Sequence, residues 1–293
     1  MEIPVSHIHL SGVACDVLHL EKAFPNGEGN KYFKLKYNLV EARNTGKDTI
    51  LSFGGAFSNH IHALAVEGKE NGFNTIGVIR GEEDPDNPTL QFARAMGMQL
   101  HFISREKYRQ KQDEIFRKEL QEKFGDVYFL PEGGTNAYAV KGCSEILRGL
   151  EDAFDVIYCA VGTGGTLAGL ISTPGLRAKI IGIPVLHGED ILEADVRRLL
   201  EDQEMHNANW ELATGNHFGG YAKHTPELIA AMRRWKTEYD LITDPVYTGK
   251  VFFAAEQLLQ QNISLQNKKI AILHTGGFQG IAGWEYRFGS LFT

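Results

Sequence analysis

Lys31 stands in the run Gly29-Asn30-Lys31-Tyr32-Phe33-Lys34-Leu35, which reads as a turn opening into a helix. Asn30 is placed to act as the N-cap, and Leu35, Leu39 and Ala42 recur at helical spacing as a buried stripe. A helix N-terminus already carries partial positive charge, so an ammonium held at the first helical position is pushed toward its neutral, nucleophilic form. The competing reading is a solvated lysine at a helix start, because lysines are nearly always exposed.

A second stretch bears on anions. Gly162-Thr163-Gly164-Gly165-Thr166 follows an apolar run and precedes a small-residue helix. Its glycines allow close backbone approach, and its N–H groups and two threonine hydroxyls have the character of a phosphate cradle. No Gly-Lys-Ser/Thr follows, and the spacing is not G-x-G-x-x-G, so neither a nucleoside-triphosphate loop nor a dinucleotide fingerprint is present. A phosphate monoester fits better than a dinucleotide; a plain strand-to-helix turn is the alternative.

Three further groups sit at strand ends or turns. Gly54-Gly55 leads into Ser58-Asn59-His60, which offers a hydroxyl, an amide and an imidazole, with helix capping by Ser58 or Asn59 as the simpler use. No G-x-S-x-G elbow and no nearby acid point to a Ser-His-Asp triad. Thr243-Asp244-Pro245-Val246-Tyr247-Thr248-Gly249-Lys250 reads as an Asp-Pro turn before a helix, and His274-Thr275-Gly276-Gly277 as a turn after a strand.

The elements that must hold these residues alternate. Apolar runs at 49–53, 75–79, 99–103, 127–130, 156–161, 180–185 and 269–274 read as buried strands, and the segments between most of them read as helices. One highly charged helix is expected over 104–123 and another over 140–150. Residues 7–20 contain two short alternating runs, also read as strands. This is an α/β pattern: two open, twisted, mostly parallel sheets with helices on both faces. Glycine-rich loops follow Phe53, Leu130, Val161 and His274, the strand ends at which open α/β sheets bind ligands. A small domain over 43–139 is expected as an insertion in a larger one built from 1–42 and 140–293, with the active site in the cleft between them.

Composition excludes several classes. A net charge of −7 argues against a nucleic-acid partner. No apolar run approaches the ~20 residues that span a bilayer, and Met1-Glu2-Ile3-Pro4 lacks the basic and apolar regions of a secretory signal. Cys15, Cys143 and Cys159 are an odd set without metal-ligand spacing, read as reduced thiols of a cytoplasmic enzyme. The pairs His7/His9 and His60/His62 are two apart, not the i, i+4 spacing of a helical zinc site, so no metal is expected.

Taken together, Gly29-Asn30-Lys31 with Lys34-Leu35, Ser52-x-Gly-Gly-x-x-Ser58-Asn59-His60, Pro131-x-Gly133-Gly134-Thr135-Asn136, Thr163-Gly164-Gly165-Thr166, Asp244-Pro245-Val246-Tyr247-x-Gly249-Lys250 and His274-Thr275-Gly276-Gly277 resemble the 1-aminocyclopropane-1-carboxylate deaminase/D-cysteine desulfhydrase family. These are pyridoxal-phosphate enzymes with a tryptophan-synthase β-subunit-like fold. The resemblance runs from about residue 27 to residue 280, in the family's order. It implies that Lys31 forms the Schiff base with pyridoxal 5'-phosphate and that Thr163, Gly164, Gly165 and Thr166 bind the phosphate. Asn59 would contact the cofactor's 3-hydroxyl. Ser58, near the substrate carboxylate, would act as an acid/base or nucleophile, and Tyr247 would reach the substrate. His60 and, through a looser match at 216–221, Tyr221 are substrate-side candidates. The resemblance also implies a homodimer.

Two positions separate the family's branches. Similar deaminases tend to carry Glu after the Tyr of Asp-Pro-Val-Tyr and Leu after the final His, whereas desulfhydrases carry Thr at both. This chain has Thr248 and Thr275. A glutamate near the pyridine nitrogen would favour its protonation more than a threonine does. The expectation is therefore a lyase or deaminase of small D-amino acids, of the D-cysteine α,β-elimination type. The alternatives are 1-aminocyclopropane-1-carboxylate ring opening and a cofactor-retaining protein with little turnover. The chain also departs from the pattern: Leu20-Glu21-Lys22-Ala23-Phe24-Pro25 replaces a Lys-Arg-Asp-Asp-like strand, and Ile61-His62-Ala63 follows His60 where relatives often have an arginine.

Overall fold

The computed structural model describes residues 2–24, 26–186, 189–201, 209–215, 219–220 and 222–292. The chain opens with a hairpin, β1 (Val5–Leu10) and β2 (Val13–His19), turned at Ser11 and Gly12, both at positive φ. A short α1 (Leu20–Ala23) leads to α2 (Asn30–Asn44). Next come β3 (Thr49–Gly55), α3 (Asn59–Glu70), β4 (Asn74–Arg80), α4 (Pro88–Ala95), β5 (Gln99–Ile103), α5 (Arg105–Arg109), α6 (Glu114–Phe124) and β6 (Tyr128–Leu130). The remainder runs α7 (Ala137–Cys143), β7 (Val156–Val161), α8 (Gly165–Ile171), β8 (Lys179–Pro184), α9 (Glu189–Glu201), β9 (Trp210–Leu212), α10 (Pro226–Tyr239), α11 (Thr248–Gln261), β10 (Ile270–His274) and α12 (Phe278–Phe288).

Two sheets result. One has the order β1-β2-β10-β7-β8-β9, parallel except for the β1–β2 hairpin; the other, β5-β4-β3-β6, is wholly parallel. Parallel strands joined by helical crossovers must be covered on both faces, which explains why Val156–Val161 is an unbroken buried apolar run. Tyr158, Trp235 and Phe252 fill one side of the larger sheet, and Phe33, Leu147 and Leu167 the other. Leu35, Leu39 and Ala42, the stripe on α2, pack with Ile50, Ile61 and Leu64 against the smaller sheet. One helix thus has Phe33 in a core of the larger sheet and Leu35 in a core of the smaller one.

Several expected elements differ. The charged segment 104–123 is two helices, not one: α5 ends at Arg109, and Asp113 caps α6 by accepting from the Ile115 N–H at 2.8 Å. The Asp113 cap starts a new helix within the charged run, which charge pattern alone does not reveal. The helix expected over 140–150 starts earlier, at Ala137 under an Asn136 cap, and stops at Cys143. Strand β9 and helix α12 were not anticipated from the sequence pattern. The loop expected at 216–221 has Asn216–Phe218 and Tyr221 outside the described residues. Among the described residues no helix is long and apolar enough to cross a membrane.

Carboxylates of Glu28, Glu67 and Glu70 gather within 4.8 Å of one another where the chain before Lys31 meets the end of α3. Burial, followed by repulsion from Glu28 and Glu70, pushes the Glu67 carboxyl up to about 7. A folded pKa raised above the ordinary 4.5 means that the charged form costs stability above about pH 7, and that this cost fades as pH falls toward 4.5. Glu67→Gln is therefore expected to raise Tm at pH 8 and to change it little at pH 4.5. Thermal melts at the two pH values check this.

Candidate active site

The carboxyl ends of β3, β7 and β10 and the start of α2 converge on a cavity of about 290 Å³. Its lining includes Lys31, Lys34, Ser58, Asn59, His60, Gly162 to Thr166, Tyr247 and Thr275. Residues from five separate stretches of sequence thus share one space.

The start of α2 is built differently from the sequence expectation. Asn30 is not the N-cap; Gly29 is, with φ 55° and no side-chain cap bond. The Asn30 amide instead donates to Thr166 Oγ1 at 2.8 Å, tying α2 to α8. A Cβ at position 29 would lie 2.2 Å from the Thr275 carbonyl oxygen, and the Asn30 N–H donates to that same oxygen at 3.1 Å. The glycine is therefore required twice, by its positive φ and by the close approach of β10. This turn sets Lys31 at the cavity wall.

Two lysines one helical turn apart share the cavity and divide its chemistry. The Lys34 ammonium donates to Thr135 Oγ1 at 2.6 Å and to Thr163 Oγ1 at 3.2 Å. Among the described residues, Lys31 has no side-chain hydrogen bond. Burial lowers Lys31 to about 8. Burial and then the neighbouring Lys31 charge hold Lys34 well below the usual lysine range. Lys31 is thus an amine available to a carbonyl near neutral pH, whereas Lys34 is committed to a cluster of hydroxyls suited to an anion. Lys34 and Thr135 were not singled out as site residues in the sequence; their signal was the i, i+3 spacing from Lys31 and the turn Gly133-Gly134-Thr135, whose glycines take φ of 68° and 67°.

The glycine loop closes on this cluster. Gly164 takes φ 82° and turns the chain into α8. A Cβ at Gly165 would meet Thr135 Cγ2 at 3.0 Å and Lys34 Cε at 3.1 Å. These contacts leave a small polar cradle of Thr135, Thr163, Thr166 and Lys34 beside bare backbone, the donor set that a phosphate monoester needs.

On another wall, Ser58 caps α3 by accepting from the Ile61 N–H at 3.3 Å, so capping and cavity lining coincide in one residue. Asn59 Oδ1 is buried without a partner. Ser52 donates its one hydroxyl proton to the Leu130 carbonyl at 2.9 Å and so accepts from His60 Nε2 at 2.8 Å. That assigns the Nε2–H tautomer and leaves His60 Nδ1, also buried and unpartnered, as an acceptor. Burial, with Lys34 and Lys31 nearby, holds His60 well below the usual imidazole range, so the ring is neutral. Orphaned buried acceptors cost stability unless something fills the site.

The Asp244 turn carries Tyr247 to the cavity. The buried carboxylate accepts from the N–H groups of Val246, Tyr247 and Thr248 and from the Thr248 hydroxyl at 2.6 Å. Thr248 itself is not among the residues lining the cavity; its hydroxyl is spent within this turn. The structure therefore places Thr275 at the cavity and Thr248 behind it. Tyr221 lies outside the described residues.

The residues present fit pyridoxal phosphate: a low-pKa lysine for its aldehyde, a hydroxyl-lined cradle for its phosphate and an orphaned Asn59 oxygen for a ring hydroxyl. Known proteins agree. A solved structure described as an ACC deaminase homologue superposes with a TM-score of 0.86 at 26% identity, covering 99% of this chain and 94% of that one. A Thermotoga maritima protein, provisionally named 1-aminocyclopropane-1-carboxylate deaminase, is 31% identical over 272 residues, 87% of this chain and 86% of the relative. The Arabidopsis thaliana bifunctional D-cysteine desulfhydrase/1-aminocyclopropane-1-carboxylate deaminase is 29% identical over 286 residues, 86% of this chain and 69% of the relative. The model of the pyridoxal-phosphate dependent enzyme family matches residues 15–276. The chain belongs to that family, is similar along most of its length to 1-aminocyclopropane-1-carboxylate deaminases and D-cysteine desulfhydrases, and is a pyridoxal-phosphate-dependent enzyme.

Proposed function

We propose that this enzyme removes ammonia from small D-amino acids, with D-cysteine as the preferred substrate. The observation that carries the reading is Lys31, the cavity amine that makes no hydrogen bond among the described residues and is lowered to about 8. Bound pyridoxal phosphate supplies an electron sink for a carbanion at the substrate α-carbon. Lys31, unprotonated, takes the α-proton, and Ser58 and Asn59 at the start of α3 orient the substrate carboxylate. Lys34, Thr135 and Thr163 hold the phosphate, and Tyr247 faces the substrate from the Asp244 turn. The bond from the β-carbon to sulfur breaks with its electron pair leaving on sulfur. In sum, D-cysteine and water give pyruvate, ammonia and hydrogen sulfide.

The preference for elimination rests on Thr248 and Thr275, the pair that similar desulfhydrases carry where similar deaminases tend to carry Glu and Leu. A hydroxyl assists pyridine protonation less than a carboxylate does, and expelling a thiolate needs less help than opening a cyclopropane. The second reading, ring opening of 1-aminocyclopropane-1-carboxylate, is favoured by the names of several similar proteins. The two are separated by feeding each substrate to the holoenzyme and following keto acid release with the visible absorption of the cofactor. Pyruvate from D-cysteine at least ~10-fold faster in kcat/KM than 2-oxobutanoate from the cyclopropane is expected, a difference of about 1.4 kcal/mol in transition-state binding. The reverse ratio would select ring opening. An intact cofactor band with neither product would overturn the lyase reading.

A further inference from the structure

Behind the cavity lies a buried polar chain that the chemistry above does not use. His19 ends β2 and His274 ends β10, and the parallel register pairs the two residues. Their rings stack with centroids 5.9 Å apart. Glu21, in the departing segment Leu20-Glu21-Lys22, bridges them: Oε1 meets His19 Nδ1 in a very short contact, and Oε2 lies 2.7 Å from His274 Nδ1. All three side chains are buried. The outer nitrogens are also engaged, His19 Nε2 with Ser6 Oγ at 2.7 Å and His274 Nε2 with the Ile242 carbonyl at 2.8 Å. A carbonyl only accepts, so His274 Nε2 carries a proton. The Gly276 N–H donates to His274 Nδ1 at 3.4 Å, while Glu21 Oε2, which has no hydrogen-bond partner among the described residues, lies against the same nitrogen at 2.7 Å as a close contact rather than a hydrogen bond.

The residue after His274 is Thr275, which lines the cavity and whose carbonyl receives the Asn30 N–H at 3.1 Å. The end of β10 therefore fixes both a cavity hydroxyl and the turn that presents Lys31. We propose that Glu21 is a positioning residue of the cofactor site: by bridging His19 and His274 it locks the ends of β2 and β10 in register and so sets Thr275 and the Gly29-Asn30-Lys31 turn. Burial works to raise the Glu21 carboxyl, but its contacts with His19 and His274 outweigh this and hold it at about 2, so the bridge is ionised throughout the neutral range. Glutamine keeps the shape of this side chain but brings an N–H₂ against one histidine and removes the charge that the other faces.

The test reads cofactor retention rather than turnover. Glu21→Gln holoenzyme is dialysed alongside wild type and a Glu145→Gln control, which breaks the contacts of Glu145 with Lys36 and Tyr37 away from the cavity. The equilibrium constant for pyridoxal phosphate and the position of its visible band are then measured. Glu21→Gln is expected to bind the cofactor at least ~10-fold more weakly with a displaced band, while Glu145→Gln matches wild type in both, whatever its loss in Tm. If Glu21→Gln does not fold, His19→Gln, which leaves the Glu21–His274 contact in place, is measured instead and is expected to bind at least ~3-fold more weakly. Wild-type affinity and band position in the variant measured, or equal losses in the Glu145→Gln control, would overturn the proposal.

Discussion

Lys31→Ala abolishes covalent attachment of pyridoxal phosphate and lowers turnover on the order of 10³-fold or more, as expected when one group is both nucleophile and base. The argument begins with position. Gly29 and Asn30 are fixed by the Thr275 carbonyl and by Thr166, so the amine is delivered to the cavity wall by backbone rather than by chance of rotamer. Burial lowers it to about 8. Because this folded-state value lies below the ordinary 10.5, the protonated form costs stability in the cofactor-free protein at all pH values below about 8, and the cost fades as pH rises from 8 to 10.5. Two consequences accompany the loss of activity. Cofactor-free Lys31→Ala is at least as heat-stable as the cofactor-free wild type at pH 7. In the wild type, the rate of cofactor attachment rises with pH and levels off above about 8. Stopped-flow growth of the visible band and thermal melts measure both. A variant that retained an attached cofactor would place the attachment elsewhere.

Lys34→Met has the second large effect, on affinity rather than on chemistry. Lys34 is fully enclosed yet donates to two threonine hydroxyls, and an ammonium in that setting is unfavourable until an anion arrives. Methionine fills similar space without the charge. The variant is expected to lose one charge-assisted interaction with the phosphate, about 1.5–3 kcal/mol, or roughly 10- to 100-fold in cofactor affinity. The cofactor-free protein is expected to become more stable at the same time. Titration of the cofactor by absorbance, with melts of the cofactor-free form, tests both directions. Unchanged affinity would remove Lys34 from the phosphate cradle.

Much of the site was legible because each piece carries its own local signal. Glycine-rich turns after apolar runs mark strand ends, and strand ends mark ligand sites in parallel sheets. Ser58, Asn59, His60, Thr163 and Thr275 line the cavity for that reason, and Lys31 and Tyr247 reach it from turns that open helices. What escaped was decided by partners far away in the chain. Asn30 has the composition of a helix cap, but its amide goes to Thr166, 136 positions later, and Gly29 takes the cap instead. Thr248 has the right neighbours for a cavity residue, yet Asp244 claims its hydroxyl within the same turn. Lys34 is engaged by Thr135 and Thr163, 101 and 129 positions later, which no local pattern reveals. The charged segment 104–123 looked continuous because charge pattern does not reveal that Asp113 restarts the helix.

The most direct measurement is borohydride reduction of the holoenzyme followed by proteolysis and peptide mass mapping. Reduction freezes the cofactor onto whichever amine holds it, so the answer does not depend on turnover or substrate. The predicted result is a pyridoxyl adduct on Lys31, with Lys34 unmodified. An adduct on Lys34 would exchange the roles of the two lysines. No adduct on any lysine, in protein loaded with cofactor, would contradict Lys31 as the attachment point and with it the chemistry built on that amine.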